Sequence, residues 1–322
     1  IAGVLLAGIV GTTTGAVEAW KQTGVATAEA SAKETARQDA VEKLGFSRKA
    51  NAILGSVFES LDPEVEYFTV ADLRNALGDK LTRAVEQLDG SVIGDPLVVA
   101  EMQNTLGLSL AGLKKSDLAL EVFKKALAAR TAALGADHPD TLTSMGNLAV
   151  ACGQAGKLEK AVELNEECLR LRTTKLGPDH PDTRRSMSDL AEAYRAVGKP
   201  AKAVELQAGC FQWRTTHLGP DHPDTLTSLG NLAVAYGHAG KLEKAVELNE
   251  ECFQRRTAEL GTDHPDTLMT LSNLAEAYRQ AGKLDKAVEL NEECLRLRKA
   301  RLGPNHPDTL TSLGNLAVAR RE

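Results

Sequence analysis

The side chains best suited to chemistry in this chain are five cysteines and five evenly spaced histidines. Brought to one point, three or four of them could hold zinc or run thiol redox chemistry. Their spacing argues otherwise. His138, His180, His222, His264 and His306 each open an HPDT motif, 42 residues apart without insertion. Cys168, Cys210, Cys252 and Cys294 keep the same period, with Ala126 one period earlier. Cys152 takes the place held by Tyr194, Tyr236 and Tyr278. Equivalent groups in stacked units stand at least about 10 Å apart, because packed helix axes are roughly 8–10 Å apart. Zinc needs its ligands at about 2 Å, and a disulfide needs Cα atoms within about 7 Å. The cysteines therefore read as small packing residues, and the histidines as part of a helix start.

Other chemistry is equally thin. The N-terminal glycines are not followed by the GK[ST] of a phosphate loop. There is no HRD or DFG signature and no defensible Ser/His/Asp set. No catalytic, cofactor-binding or metal-binding residue is assigned. A net charge of −6 gives no electrostatic case for nucleic acid.

A constant period with a recurring apolar pattern means stacked copies of one supersecondary unit. The stretch from His222 to Asp263 shows its parts. Leu226, Leu229, Leu232, Ala233 and Tyr236 make one helical stripe. Leu242, Ala245, Val246, Leu248 and Cys252 make a second. Pro223 suits a first helical turn, and Asp224 favours the helix dipole there. Gly240 separates the two helices, and Gly261 ends the second where φ turns positive. Neither helix can bury its stripe alone, so neighbouring units must cover it.

Leu229, Leu232-Ala233, Tyr236, Gly240, Ala245 and Cys252 resemble the small and large positions of a tetratricopeptide repeat. The 42-residue length, the LGxDHPDT loop and the NLAxAY core resemble the long-repeat form of kinesin light chains. The resemblance implies an all-α fold, a right-handed superhelical solenoid of helix–turn–helix units. It further implies a concave groove, lined by first helices, that binds a peptide or protein segment.

Four parts are expected along the chain. Residues 1–17 are uncharged and read as a partial transmembrane or signal-anchor segment, with Trp20 and Lys21 as interfacial anchors. A signal-peptide remnant or a buried helix is the alternative. Gly3, Ala7, Gly11 and Gly15 form a small-residue stripe that would permit a homodimer in lipid. Residues 18–47 read as an Ala/Glu/Lys-rich helical stalk. Residues 48–95 read as an N-terminal helical cap, in which Thr69 and Asp72 resemble a capping box and Leu73, Leu77, Leu81, Val85 and Leu88 form a stripe. Residues 96–322 read as the solenoid: a divergent repeat from Pro96, four more from His138, His180, His222 and His264, and a single helix from His306.

The second helices begin acidic and end basic, as at Glu166, Glu167, Arg170, Arg172 and Lys175 and again at Glu292, Glu293, Arg296, Arg298 and Arg301. Glu166–Arg170 and Glu292–Arg296 are expected as i,i+4 pairs on a solvated face, each contributing about 0.2–0.5 kcal/mol.

The family resemblance places ligand contacts just before the Leu-Ala core, at Asn147, Asp189, Asn231, Asn273 and Asn315. An amide can satisfy an extended backbone without reading side chains. An inter-repeat hydrogen bond is the other use for these groups. A second signal is an alternation: Val150 and Val234 in some units, Glu192 with Arg195 and Glu276 with Arg279 in the others. Facing the groove, these would alternate charged and apolar rungs; otherwise they are local helix salt bridges.

The arrangement also resembles the C-terminal region of bacterial membrane-anchored serine/threonine protein kinases, through GIVGTTTGAVEAW, ANAILGSVFESLDP and GDPLVVAEMQNTLG. That resemblance implies a sensing or docking arm, attached to the membrane through the N-terminal segment. The functional readings are thus a protein-interaction scaffold, the arm of such a kinase, and self-association through the glycine stripe.

Overall fold

A computed structural model describes residues 70–87 and 95–321, with scattered positions between 33 and 52. The expected membrane segment, the glycine stripe, most of the stalk and the helix around residues 48–61 lie outside the described residues. So does Thr69 of the expected capping box. Among the described residues, no helix is long and apolar enough to cross a membrane.

The chain forms two compact units, residues 1–113 and 114–322. The first contains α1 (Val70–Gln87) and α2 (Pro96–Gly112), which pack on each other. Leu81 and Val85 of the expected stripe are buried in α1. Asp95 caps α2 as its type predicts, its Oδ1 accepting from the Leu97 amide at 2.8 Å, with Pro96 at the first helical position. The boundary at residue 113 falls inside the stretch expected to be the first repeat.

The second unit opens with α3 (Ser116–Leu134). Four hairpins follow: α4 (Pro139–Gln154) with α5 (Leu158–Leu176), α6 (Pro181–Ala196) with α7 (Pro200–Leu218), α8 (Pro223–His238) with α9 (Leu242–Leu260), and α10 (Pro265–Gln280) with α11 (Leu284–Leu302). The last helix is α12 (Pro307–Ala319). Each packs on its neighbours in chain order, and first helices touch the next first helix. The fold is an all-helical solenoid.

Its core is a series of small clusters. Leu226, Leu229, Leu232 and Ala233 of α8 meet Leu248 and Cys252 of α9, with Val204 and Phe211 of α7 on the other side. The same pattern returns with Leu268, Leu271 and Cys294. Burying one such leucine contributes about 1.5–3 kcal/mol. The equivalents in α12 show what a second helix supplies: Leu226 is 1% exposed, while Leu310 is 53% exposed.

Two glycines per unit set the chain reversal. Gly240, between α8 and α9, has φ +73°, and Gly261, after α9, has φ +89° and ψ 163°. The second combination is open essentially to glycine alone. Lys114 takes the place of the first type of glycine, at φ 61°.

The histidines cap helices. Nδ1 of His222 accepts from the Asp224 amide at 3.1 Å, and His138, His180, His264 and His306 do the same at 3.2 Å. The cap satisfies one of the orphan donors of a helix start.

The basic ends of the second helices correct the solvated-face expectation. Arg130, Arg172, Arg256 and Arg298 are buried. Arg172 Nη1 donates to the Ser186 hydroxyl at 2.7 Å and the Asp182 carbonyl at 3.3 Å, both in the next hairpin. Arg256 repeats this with Thr270 at 2.8 Å and Asp266 at 2.9 Å, and Arg298 with Ser312 at 2.9 Å. Each guanidinium therefore pins one hairpin to the next. The expected i,i+4 pairs also differ. Arg170 pairs with Glu167 at 2.6 Å and Arg296 with Glu293 at 2.6 Å, one residue closer in sequence. Glu166 is free to accept the Tyr194 hydroxyl at 2.5 Å, and Glu292 pairs with Arg320 at 2.5 Å.

Candidate binding groove

The first helices present one face to a row of three hollows. Each helix aims the turn before and after its Leu-Ala core into them, because the opposite stripe is held by the second helices. A hollow of 440 Å³ lies between α4 and α6, lined by Val150, Gly153, Asp189, Glu192 and Arg195, with Asn165 from α5. One of 300 Å³ lies between α6 and α8, lined by Asp189, Glu192, Arg195, Asn231 and Val234, with Gln207 from α7. A third, of 110 Å³, lies between α8 and α10, lined by Val234, Gly237, His238, Asn273 and Glu276, with Asn249 from α9.

Eight of the expected positions thus meet along one face: Val150, Asp189, Glu192, Arg195, Asn231, Val234, Asn273 and Glu276. Asn147, Arg279 and Asn315 are not among the residues lining these hollows. Asn315 instead donates to the Ser272 hydroxyl at 3.2 Å, an inter-repeat bond. Arg279 is turned to Glu276 at 2.7 Å.

The charged rungs are local pairs, of which Glu192, Arg195 and Glu276 also line the hollows. Arg195 Nε donates to Glu192 at 2.8 Å, and Nη2 donates to its other oxygen. Those bonds hold the Glu192 carboxyl below the usual range, and Arg279 does the same for Glu276. His238 Nε2 lies 3.1 Å from Arg195 Nη1, linking one charged rung to the next unit. Asp189 differs from the four asparagines at its position. Burial raises its pKa against the fields of Arg172 and Arg185.

Sequence reasoning passed over the floor of the groove. Asn165, Gln207 and Asn249 come from second helices at one repeat position and are nearly fully buried. Asn249 Nδ2 donates to the Ala245 carbonyl at 2.9 Å, as Asn291 does to Ala287. Asn249 Oδ1 and Gln207 Oε1 have no protein partner among the described residues. The available signal was a polar amide recurring inside an otherwise apolar stripe. The alternation of Gly153 and Gly237 with Arg195 and Arg279 was a second, since glycine leaves the room that the hollows occupy.

Among the described residues, no group of three His, Cys, Asp or Glu side chains could hold a metal ion. The five cysteines are free and buried. Cys252 Sγ donates to the Leu226 carbonyl at 3.3 Å, and burial pushes its thiol up.

Comparison with known proteins follows the same lines. A tetratricopeptide repeat model matches residues 98–174, 206–258 and 224–300, more than half of the chain, and a second one matches residues 183–224. The chain belongs to the tetratricopeptide repeat family. No curated protein matches it by sequence. Among solved structures, one described as a Podosopora anserina kinesin light chain with nearly identical TPR-like repeats is 30% identical, with TM-score 0.55. The match covers 63% of this chain and 96% of that one. BtubC (BKLC) from P. vanneervenii shares the fold at 20% identity and TM-score 0.57, over 74% of this chain and 94% of that one. A STAND protein with a tetratricopeptide repeat sensor from Pyrococcus horikoshii also shares it, at 14% identity and TM-score 0.56, over 78% of this chain and 37% of that one. The tetratricopeptide match begins at Val98, inside α2.

Proposed function

We propose that this protein is an interaction scaffold that takes an extended protein segment along the hollows of its first helices. Tetratricopeptide repeats bind protein or peptide partners. The observation that supports the groove as the place is the row of three connected linings, in which Asp189, Glu192 and Arg195 each border two hollows. Amides at Asn231 and Asn273 supply backbone hydrogen bonds, and Val150 and Val234 supply apolar contact between charged rungs. The hollows follow one another and share lining residues, which suits a strand-like ligand more than a compact one.

The test is a random peptide display library selected on the full chain. Selected peptides carrying a photo-crosslinker should label α4, α6, α8 and α10, and Val234→Glu should lower their affinity about tenfold or more, since it buries a charge against the ligand. Labelling confined to second helices would overturn the reading.

Membrane attachment through residues 1–17 and a homodimer through Gly3, Ala7, Gly11 and Gly15 are separate readings, tested by sedimentation in detergent with and without residues 1–20; the kinase-arm reading rests on residues 8–20, 50–63 and 94–107 alone. A kinase signature encoded upstream of Ile1 is its test, and an unrelated upstream sequence would remove it.

A further inference from the structure

A hydrogen bond between each first helix and the second helix before it recurs with a reach of 28 residues, and it is lost at one junction. Tyr194 donates to Glu166 at 2.5 Å, Tyr278 donates to Glu250, and Arg320 donates to Glu292 at 2.5 Å. In the same register, Tyr236 of α8 meets Ala208 of α7, which offers it no acceptor. Both residues pack on the cluster of Leu226, Leu229 and Leu232, so the tyrosine keeps the place of its counterparts. Tyr236 is only partly buried, whereas Tyr194 and Tyr278 are 7% and 5% exposed.

The loss of acid extends along α7. Gly209 stands where Glu167, Glu251 and Glu293 stand. A Cβ there would meet only the Met187 Cε at 3.7 Å, an ordinary contact, so packing does not demand the glycine. Helix α7 keeps one acid, Glu205, whereas α5 and α11 carry four each and α9 carries five. Of the α9 acids on this side, Glu247 is taken by Lys244 at 2.8 Å and Glu251 by Arg255 at 2.8 Å. Glu205 and Glu243 are exposed to water. A cation stays beside the tyrosine, Lys241 Nζ lying 5.6 Å from its ring centroid. We propose that the outer side of α7 is a second interaction surface that takes an acidic segment of a partner protein, one carboxylate accepting from the Tyr236 hydroxyl beside Lys241. The ligand class follows from the sister junctions, where the same phenol pairs with a carboxylate supplied by the chain itself. An O–H donor to an ionised carboxylate makes a stronger bond than it makes to a neutral acceptor, and the lysine adds attraction of the same sign. Tyr236, Ala208, Gly209 and Lys241 line none of the hollows, so this surface does not depend on the groove reading.

The test uses end-capped tetraglutamate and its neutral counterpart tetraglutamine, titrated at low salt into the full chain with its tyrosine rings labelled for NMR. Tyr236→Phe assigns the signal. Tetraglutamate should shift the Tyr236 ring saturably, with an affinity about fivefold or more above that of tetraglutamine. Tyr194 and Tyr278, whose carboxylates are already in place, should not respond. Ala208→Glu installs the residue that α5, α9 and α11 carry at this position, so the fold accepts it, and the carboxylate it supplies should abolish the Tyr236 response. An unmoved Tyr236 signal, equal affinities for the two peptides, or an undiminished response in A208E would each overturn the inference. Any of these leaves the groove reading intact, because the display experiment reads labelling of the first helices.

Discussion

Arg172 Nη1 sits 2.7 Å from Ser186 Oγ, so the last turn of one hairpin is fastened to the first helix of the next. Replacing Arg172 with methionine keeps most of the buried stem but removes the bonds to the Ser186 hydroxyl and the Asp182 carbonyl, and leaves that hydroxyl with only the Cys168 thiol at 3.7 Å. Urea unfolding of the full chain should show a loss of about 2–3 kcal/mol. Arg170→Ala, two residues away on the exposed face, should cost less than about 0.5 kcal/mol. Equal effects would mean that the fastening carries no stability.

Tyr194 and Tyr278 donate to Glu166 and Glu250, whereas the matching position opposite Tyr236 is Ala208. Those carboxylates push both phenols up to about 12, helped by burial. The folded value exceeds an unfolded value of about 10. Their contribution is thus complete below about pH 10 and disappears as pH rises through about 12. Absorbance titration at alkaline pH should show two late tyrosines, and Tyr194→Phe with Tyr278→Phe should remove them. Late titration surviving in the double variant would refute the assignment.

His222 caps α8 through Nδ1. His222→Ala should destabilise by about 1 kcal/mol, and His222→Asp should recover most of it, because a carboxylate accepts the same amide bond and suits the dipole. Chemical denaturation of the three proteins decides it, and an alanine variant as stable as the parent would count against the cap.

Lys114 holds a left-handed conformation at a place where later units have glycine. Lys114→Gly should therefore stabilise by about 1 kcal/mol, read as a higher Tm. A lowered Tm would show that the lysine side chain contributes more than the backbone loses.

Cys168, Cys210 and Cys252 are buried thiols that burial pushes up, and each donates to a carbonyl of its own hairpin. A thiol reagent should modify the native protein slowly at neutral pH and titrate all five cysteines in denaturant. Fast native modification of a repeat cysteine would place it outside the packing role.

The 42-residue period alone carried the helical hairpins, their order and the packing role of the repeat cysteines, because a recurrent apolar stripe has one way to be buried. It also placed Asp189, Glu192, Arg195 and Asn231 on first helices at spacings that could share a face. The period was silent on which polar groups turn inward. Arg172 and Arg170 read alike along the chain, and only the approach of the next hairpin buries one and leaves the other in water. Asn315 and Asn231 likewise share a register, yet Ser272 captures the first and a hollow receives the second. Gln207 drew no notice along the chain, and only the stacking of α6 and α8 makes it part of a hollow. Side-chain spacing along a helix sets direction, but the identity of the partner depends on atoms brought in from elsewhere, and those distances exist only once the hairpins have stacked.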